Sequence, residues 1–180
     1  MEETERAIKT IEDLLLLTRL DYRPEIFKFE ELDLNLFIKD IYEQTRNLVS
    51  AKNISLKANI PEEQINIFAD KLHLRRLFFN LINNAIKFTP EAGSIEIALS
   101  RIEKQALVSI SDTGIGIAQD DLDKIFNRFF HRDRLTQDAE SGSGLGLSIA
   151  KSIALRHLGD IIVESQPNKG STFTVILPIT

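Results

Sequence analysis

Asn80, Asn84 and Lys87 carry the first chemical signal in this sequence. They stand at i, i+4 and i+7, the spacing that places residues on one face of a helix over two turns. An Asn carbonyl oxygen is a ligand for hard cations such as magnesium. A Lys ammonium is a point charge suited to phosphate. Asn competes for backbone hydrogen bonds and is a mediocre helix former, so two of them aligned with a lysine suggest a polar site. The plainer alternative is a helix with a few polar surface positions.

The element that must position them is a buried amphipathic helix. Leu77, Leu81 and Ala85 repeat every four residues, and Phe78, Ile82 and Ile86 add a second apolar row. Asp70 stands where an N-cap belongs, and Pro90 to Gly93 reads as a turn.

Two further stretches carry chemistry. Asp112-Thr113-Gly114-Ile115-Gly116-Ile117 follows an alternating segment that ends at Ser111. A carboxylate at a strand end accepts hydrogen bonds from an exocyclic amine, and glycines beyond it let backbone approach a flat ring. An ordinary strand-to-loop turn is the alternative. Gly142, Gly144 and Gly146 precede a helical segment, so free amides and the positive end of a helix dipole would face an anion. The run is not a dinucleotide fingerprint, because position 147 is Leu. It is not a Walker A loop, because no Gly-Lys-Ser/Thr occurs. A flexible hinge is the alternative there. None of His73, His131 and His157 has metal-like spacing or a carboxylate pair, so each reads as structural or solvated.

Composition bounds the rest. With 180 residues, 43% of them hydrophobic and 11 Phe, the chain can bury a sizeable core. A net charge of -5 argues against nucleic-acid binding through a basic surface, and the absence of cysteine excludes disulfides and thiolate metal sites. No 18-residue apolar run occurs and the N-terminus is acidic, so the expectation is a soluble, cytoplasmic protein without direct membrane contact.

Taken in order, Met1 to Tyr22 reads as a helix with Thr4, Ile8, Ile11, Leu15, Thr18 and Tyr22 in a stripe, stopped by Pro24. The run Leu14 to Leu17 widens its apolar surface, so it expects more than one neighbour. Phe27 to Leu34 suggests a short strand. Asp33 or Asn35 caps the next helix, which ends near Asn53. Strands follow at 54–60 and 65–69, then a hairpin at 94–101 and 106–111. Leu122, Ile125, Phe126, Phe129 and Phe130 suggest a short aromatic helix. His131 to Ser143 is polar and aperiodic, which suggests a lid. A helix ending at Gly159 and two strands, 161–165 and 171–179, close the chain. The pattern is α+β: a two-layer α/β sandwich whose mixed, mostly antiparallel sheet carries helices on one face.

NLINNAIKFTP, DTGIGI, IFNRFF and GSGLGLSIAK, in this order, with GSTF near the end, resemble the catalytic and ATP-binding domain of sensor histidine kinases. That superfamily also holds gyrase, heat-shock chaperone and mismatch-repair ATPases. The resemblance covers about Leu32 to Thr180. It implies that Asn84 binds magnesium, that Asn80 supports the metal and phosphates, and that Lys87 meets the phosphates. It implies that Asp112 bonds the adenine amino group, with Gly114, Gly116 and Ile117 beside the base. Phe126, Phe129 and Phe130 match the aromatic box flanking the lid. Gly142, Gly144, Leu145, Gly146 and Leu147 match the glycine box at the phosphates, and Thr172 matches a hydroxyl near adenine. Where the family often has His-Gly-Gly, this chain has His157-Leu158-Gly159.

The resemblance further implies ATP and Mg2+ as cofactors and γ-phosphoryl transfer to a histidine on a dimerisation and phosphoacceptor domain, with a response regulator as the later partner. LLLLTRLDY resembles the second helix of that domain. Residues 1–23 are thus expected to be its remnant, 24–31 a linker and 32–180 the catalytic domain. No histidine here matches the acceptor, so self-phosphorylation is not expected. A nucleotide-binding regulatory module without phosphotransfer is the alternative. The hydrolysing relatives carry a glutamate where Asn80 stands, and an amide is no general base, so slow hydrolysis is expected.

Overall fold

The computed structural model describes residues 2–22, 27–130 and 143–180. Its elements are α1 (Glu2–Tyr22), β1 (Glu30–Asp33), α2 (Leu34–Val49), β2 (Ser55–Asn59), β3 (Asn66–Ala69), α3 (Lys71–Phe88), β4 (Ser94–Ile102), β5 (Gln105–Asp112), α4 (Gly146–Arg156), β6 (Asp160–Gln166) and β7 (Gly170–Pro178).

The helix ends follow from capping chemistry. Asp33 Oδ1 accepts the Leu36 amide at 2.9 Å and starts α2. Asn35 does not cap. It is buried, and its amide holds the Pro61 and Glu63 carbonyls and the Ile65 N–H, which fixes the approach to β3. Asp70 caps α3 through the His73 amide at 2.8 Å. At the other end of α3, Lys52 Nζ reaches the Ile86 and Lys87 carbonyls at 3.0 and 3.4 Å, a cation at the negative end of the helix. Helix α4 ends in a Schellman arrangement: Leu158 N–H donates to Leu155 O and Gly159 N–H to Ala154 O. The left-handed residue is Leu158, at φ 57°, not Gly159 as the glycine suggested.

The main sheet has the order β2-β4-β5-β7-β6. The β2/β4 pair is parallel and every other pair antiparallel. Strands β1 and β3 pair separately as a two-stranded ribbon. Ile95, Ile97, Leu99, Val108, Ile110, Phe173, Val175 and Leu177 are all buried and pack with Leu77, Phe78, Leu81 and Ile149 from the helices. The alternate positions Glu96 and Ser100 are exposed, while Ser109 and Thr174 are half-buried, so one face of the sheet carries the helices and the other does not. This is the two-layer α+β architecture expected.

Two local expectations fail. Residues 122–130 form no α-helix. A 3-10 turn at Gln119–Asp121 leads into further tight turns, with Leu122 bonded to Gln119, Asn127 to Lys124 and Phe130 to Asn127. The paired aromatics need different directions: Phe126 packs edge-on against Phe173, and Phe129 takes φ 60°. Second, the stripe expected to bury α1 faces outward. Ile8, Ile11 and Leu15 are exposed, and Leu17, Leu20 and Asp13 turn into the core. The Pro24 stop and residues 131–142 of the lid, with His131 and Gly142, lie outside the described residues.

Candidate functional site

The site begins on α3. Asn80, Asn84 and Lys87 are each half-buried on its polar side, in line with their spacing. Asn80 Nδ2 is enclosed without a hydrogen-bond partner. A buried orphan donor costs free energy unless something supplies an acceptor. The start of α4 lies against the same side chain, since a Cβ on Gly146 would stand 3.7 Å from the Asn80 amide. Leu145, the residue before α4, makes no side-chain cap, so the amides of this N-terminus open next to Asn80. Leu145 itself is fully buried and Leu147 packs against the core, so these residues anchor the helix by their side chains. Gly144 accepts the Phe129 amide, and the half-buried Phe130 packs on the core beside it.

The second part is the loop after β5. Asp112 Oδ1 accepts the Gly114 amide at 2.7 Å. Burial pushes the Asp112 carboxyl above its ordinary range, partly offset by the Gly114 and Ser171 backbone N–H groups. Ile115 N–H donates to Phe88 O on α3 at 3.2 Å, and Asn168 N–H donates to Ile115 O at 2.8 Å. The loop is therefore clamped between α3 and the β6–β7 turn. Gly116 makes that clamp possible. It sits at φ 66°, and a Cβ there would lie 1.9 Å from Gln166 O. Ile117 donates its N–H to Ser165 Oγ at 2.8 Å while its side chain packs on the core.

Two concavities flank this loop. One, of about 490 Å³, is lined by Asp112, Leu122, Val163, Ser165 and Ser171 among others. The other, of about 480 Å³, is lined by Lys52, Lys87, Phe88, Thr89 and Ile115 among others. The Lys87 ammonium stands 5.1 Å from the centre of the Phe88 ring. A carboxylate and hydroxyls thus border one hollow, and a lysine with an aromatic ring borders the other, with the two Asn residues on the adjoining helix.

Thr172 lines the same cavity as Asp112, but its hydroxyl is turned away from the carboxylate. Its Oγ1 bonds Ser111 Oγ at 2.9 Å, and Ser111 precedes Asp112 on β5, so both hydroxyls lie on the face opposite the carboxylate. Ser171, the register partner of Asp112, shares its face. The sequence reading missed Ser171 and Ser165, yet the signal was present. Phe173, Val175 and Leu177 face the core, and period-two alternation then turns Ser171 inward and Thr172 outward.

His73 and His157 are structural. His157 Nδ1 lies 2.8 Å from Ile153 O, and its Nε2 accepts the Asp70 amide at 3.0 Å, which fixes a neutral tautomer. Burial lowers its pKa from the ordinary 6.5, so a positive charge at this helix end is disfavoured. The Phe27 ring sits 4.2 Å from His73 and 5.6 Å from His157.

Among the described residues no group of three or more His, Cys, Asp or Glu could hold a metal. A hard cation here would rest on the Asn80 and Asn84 amide oxygens with its other ligands from phosphate and water, an arrangement magnesium favours. The two amide oxygens fit that ion, and the orphaned Asn80 Nδ2 donor fits a phosphate oxygen beside it.

Residues 69–180 match the model of the histidine kinase-, DNA gyrase B-, and HSP90-like ATPases. The chain is 38% identical over 174 residues to sensor histidine kinase RppB of Synechocystis, covering 97% of this chain and 38% of that one. It is 33% identical over 181 residues to WalK of Bacillus subtilis, covering 98% of this chain and 29% of the relative. It therefore spans less than two-fifths of either relative. Among solved structures, full-length ShkA in complex with AMPPNP superposes with a TM-score of 0.87 at 26% identity, over 99% of this chain and 37% of that one. The catalytic domain of histidine kinase ThkA gives 0.74 at 31% identity, over 84% of this chain and 96% of that one. ThkA in complex with the response regulator TrrA gives 0.79 at 27%, over 99% and 49%. On the match over residues 69–180 and the 38% identity to RppB across 97% of this sequence, this chain belongs to the histidine kinase-, DNA gyrase B-, and HSP90-like ATPase family, and within it to the catalytic ATP-binding domains of sensor histidine kinases.

Proposed function

We propose that this chain binds Mg-ATP and passes its γ-phosphoryl group to a histidine of a dimerisation and phosphoacceptor domain, within a cytoplasmic two-component sensor kinase that hands the phosphoryl group on to a response regulator. The observation that carries the reading is the convergence at Asn80, where an orphaned amide on α3 meets the uncapped N-terminus of α4. Phosphoryl transfer needs positioning and charge neutralisation more than covalent chemistry from the protein. Lys87 and the α4 amides would hold phosphate, Asn84 and Asn80 would hold magnesium, and Asp112 would accept from the adenine amino group. Magnesium, when bound, offsets charge on the phosphates. Ser171 would join Thr172 as a hydroxyl near the base, on the sheet face of Asp112.

Residues 1–23 then serve as the second helix of the dimerisation domain, 24–31 as a linker and 32–180 as the catalytic domain. Two features support this: α1 buries only one face against the catalytic domain, and Ile8, Ile11, Leu14 and Leu15 remain exposed at helical spacing. The described residues contain no helix long and apolar enough to cross a membrane. The decisive experiment incubates the chain with γ-labelled ATP and a separately prepared acceptor domain. Acid-labile label should appear on the acceptor, and ATP binding without any transfer would refute the kinase assignment.

A further inference from the structure

Asp112, Ser171 and Ser165 occupy one cross-strand row. Asp112 pairs with Ser171 across β5 and β7, and Ser171 pairs with Ser165 across β7 and β6. Directly opposed side chains on one face lie about 4.5–5.5 Å apart at Cβ. All three line the same cavity. Ser165 is half-buried, and each of its hydrogen-bonding capacities is used. Its Oγ accepts the Ile117 N–H at 2.8 Å, donates to Gly170 O at 2.8 Å and lies 2.9 Å from Ser171 Oγ.

A serine hydroxyl has one proton. A carbonyl cannot donate, so the Ser165 proton goes to Gly170 O. The short contact between the two serines then requires Ser171 to donate to Ser165. That leaves Ser171 only lone pairs to present to the cavity, next to the Asp112 carboxylate, which is likewise an acceptor when ionised. Gly170 holds the arrangement rigid: it sits at φ 87°, and a Cβ there would lie 1.8 Å from Asp112 O.

We propose that Ser165 is a specificity-determining positioning residue, which turns the Ser171 hydroxyl into an acceptor so that the row accepts an amino group and rejects a carbonyl on the base. Adenine offers the 6-amino group and guanine a 6-oxo group, so their donor and acceptor roles are opposite at this position. The proposal rests on the nucleotide-binding reading above. Ser165 touches no nucleotide in this scheme; it acts through the Ser171 proton.

The test measures ADP and GDP affinities by calorimetry, without metal, for the parent, Ser165→Ala, Ser165→Thr, Ser171→Ala and the double Ser165→Ala/Ser171→Ala variant. The parent should prefer ADP. Ser165→Ala frees the Ser171 proton to donate to a carbonyl, so the ADP/GDP preference should fall on the order of tenfold, the scale of one hydrogen bond, mainly through tighter GDP binding. Ser165→Thr keeps the hydroxyl and should keep the parent preference. In the Ser171→Ala background, Ser165→Ala should leave the preference unchanged, because no proton remains to redirect. A preference ratio is read on folded molecules alone, so partial unfolding does not alter it. An unchanged ratio in Ser165→Ala, an equal loss for both nucleotides, or the same drop with Ser171 absent would each overturn the proposal. A parent that binds neither nucleotide would instead overturn the nucleotide reading itself.

Discussion

Replacing Asp112 by Ala should weaken ATP and ADP alike. The carboxylate sits at the end of β5, and Oδ1 is already committed to the Gly114 amide. Its remaining acceptor capacity borders the cavity shared with Ser171 and Leu122. A hydrogen bond to a charged group contributes roughly 1.5–3 kcal/mol, and 1.4 kcal/mol is a factor of ten. The loss should therefore be about tenfold to a hundredfold, the same for both nucleotides because the base and not the phosphates is affected. The fold should survive, since Asp112 is a carboxylate whose burial is unfavourable, as its raised pKa attests.

That raised pKa adds a signature. A carboxyl with a folded pKa above its unfolded value contributes stability at low pH and loses it as pH rises through the folded pKa. Adenine needs the ionised form as acceptor. Nucleotide affinity should hence decline as pH falls from 7 into the raised carboxylate range, and Asp112→Asn should flatten that decline. Calorimetry with ADP between pH 7.5 and 5 reads both effects. Parent-like affinity in Asp112→Ala, or an identical pH profile in Asp112→Asn, would refute the assignment of Asp112 to the base.

Asn84→Ala should weaken Mg-ATP more than metal-free ATP, because its oxygen serves only the cation; titrations with and without a chelator distinguish this from a general loss. Leu158→Gly should stabilise the domain by about 1 kcal/mol, some 2–4 °C in melting temperature, because Leu158 holds φ 57° at 87% exposure and loses no packing on truncation. His157 should make stability fall in mild acid. Its folded pKa lies below 6.5, so as pH drops through 6.5 the unfolded chain gains a proton that the folded chain resists. Urea midpoints at pH 7.5 and 5.5 should converge in His157→Gln, and a slope equal to the parent's would assign the effect to other groups.

The helices and the hairpin were legible because their signals are local. The apolar rows of α3, the Asp70 cap and the alternation of β4 and β5 each act over a few residues. The positions of Asn80, Asn84, Asp112 and Gly116 followed, since each lies on or beside such an element. Ser171 was passed over for a different reason. Motif matching counts positions, whereas a strand sorts neighbours onto opposite faces, so an error of one residue moves a hydroxyl to the wrong side of the sheet. The turns at 119–130 failed because apolar pairs at helical spacing also suit a tight-turn segment whose aromatics point into separate niches. The separate β1/β3 ribbon could not be read, because strand partners 33 or more residues apart leave no local trace.

The docking of α1 links the site to its surroundings. Asp13 is buried and pairs with Arg76 at 2.6 Å, one helical turn before Asn80 on α3. Its other oxygen lies 3.4 Å from Ser143 Oγ, three residues before α4 starts. Arg156, near the end of α4, donates to the Leu20 carbonyl. Helix α1 thus grips both helices that supply the phosphate end of the site, through a carboxylate at one level and a backbone carbonyl at the other, with Leu17 and Leu20 sealed between them. A buried carboxylate is costly without its partner, so α1 cannot slide along α3 without uncovering Asp13. A shift of α1 therefore bears on the spacing between Asn80 and Gly146. The same helix carries its exposed apolar row, Ile8, Ile11 and Leu15, on the outward side. On the proposed reading, a helix packed on that row would meet the phosphate end of the site through α1, by way of the Asp13–Arg76 and Arg156–Leu20 contacts.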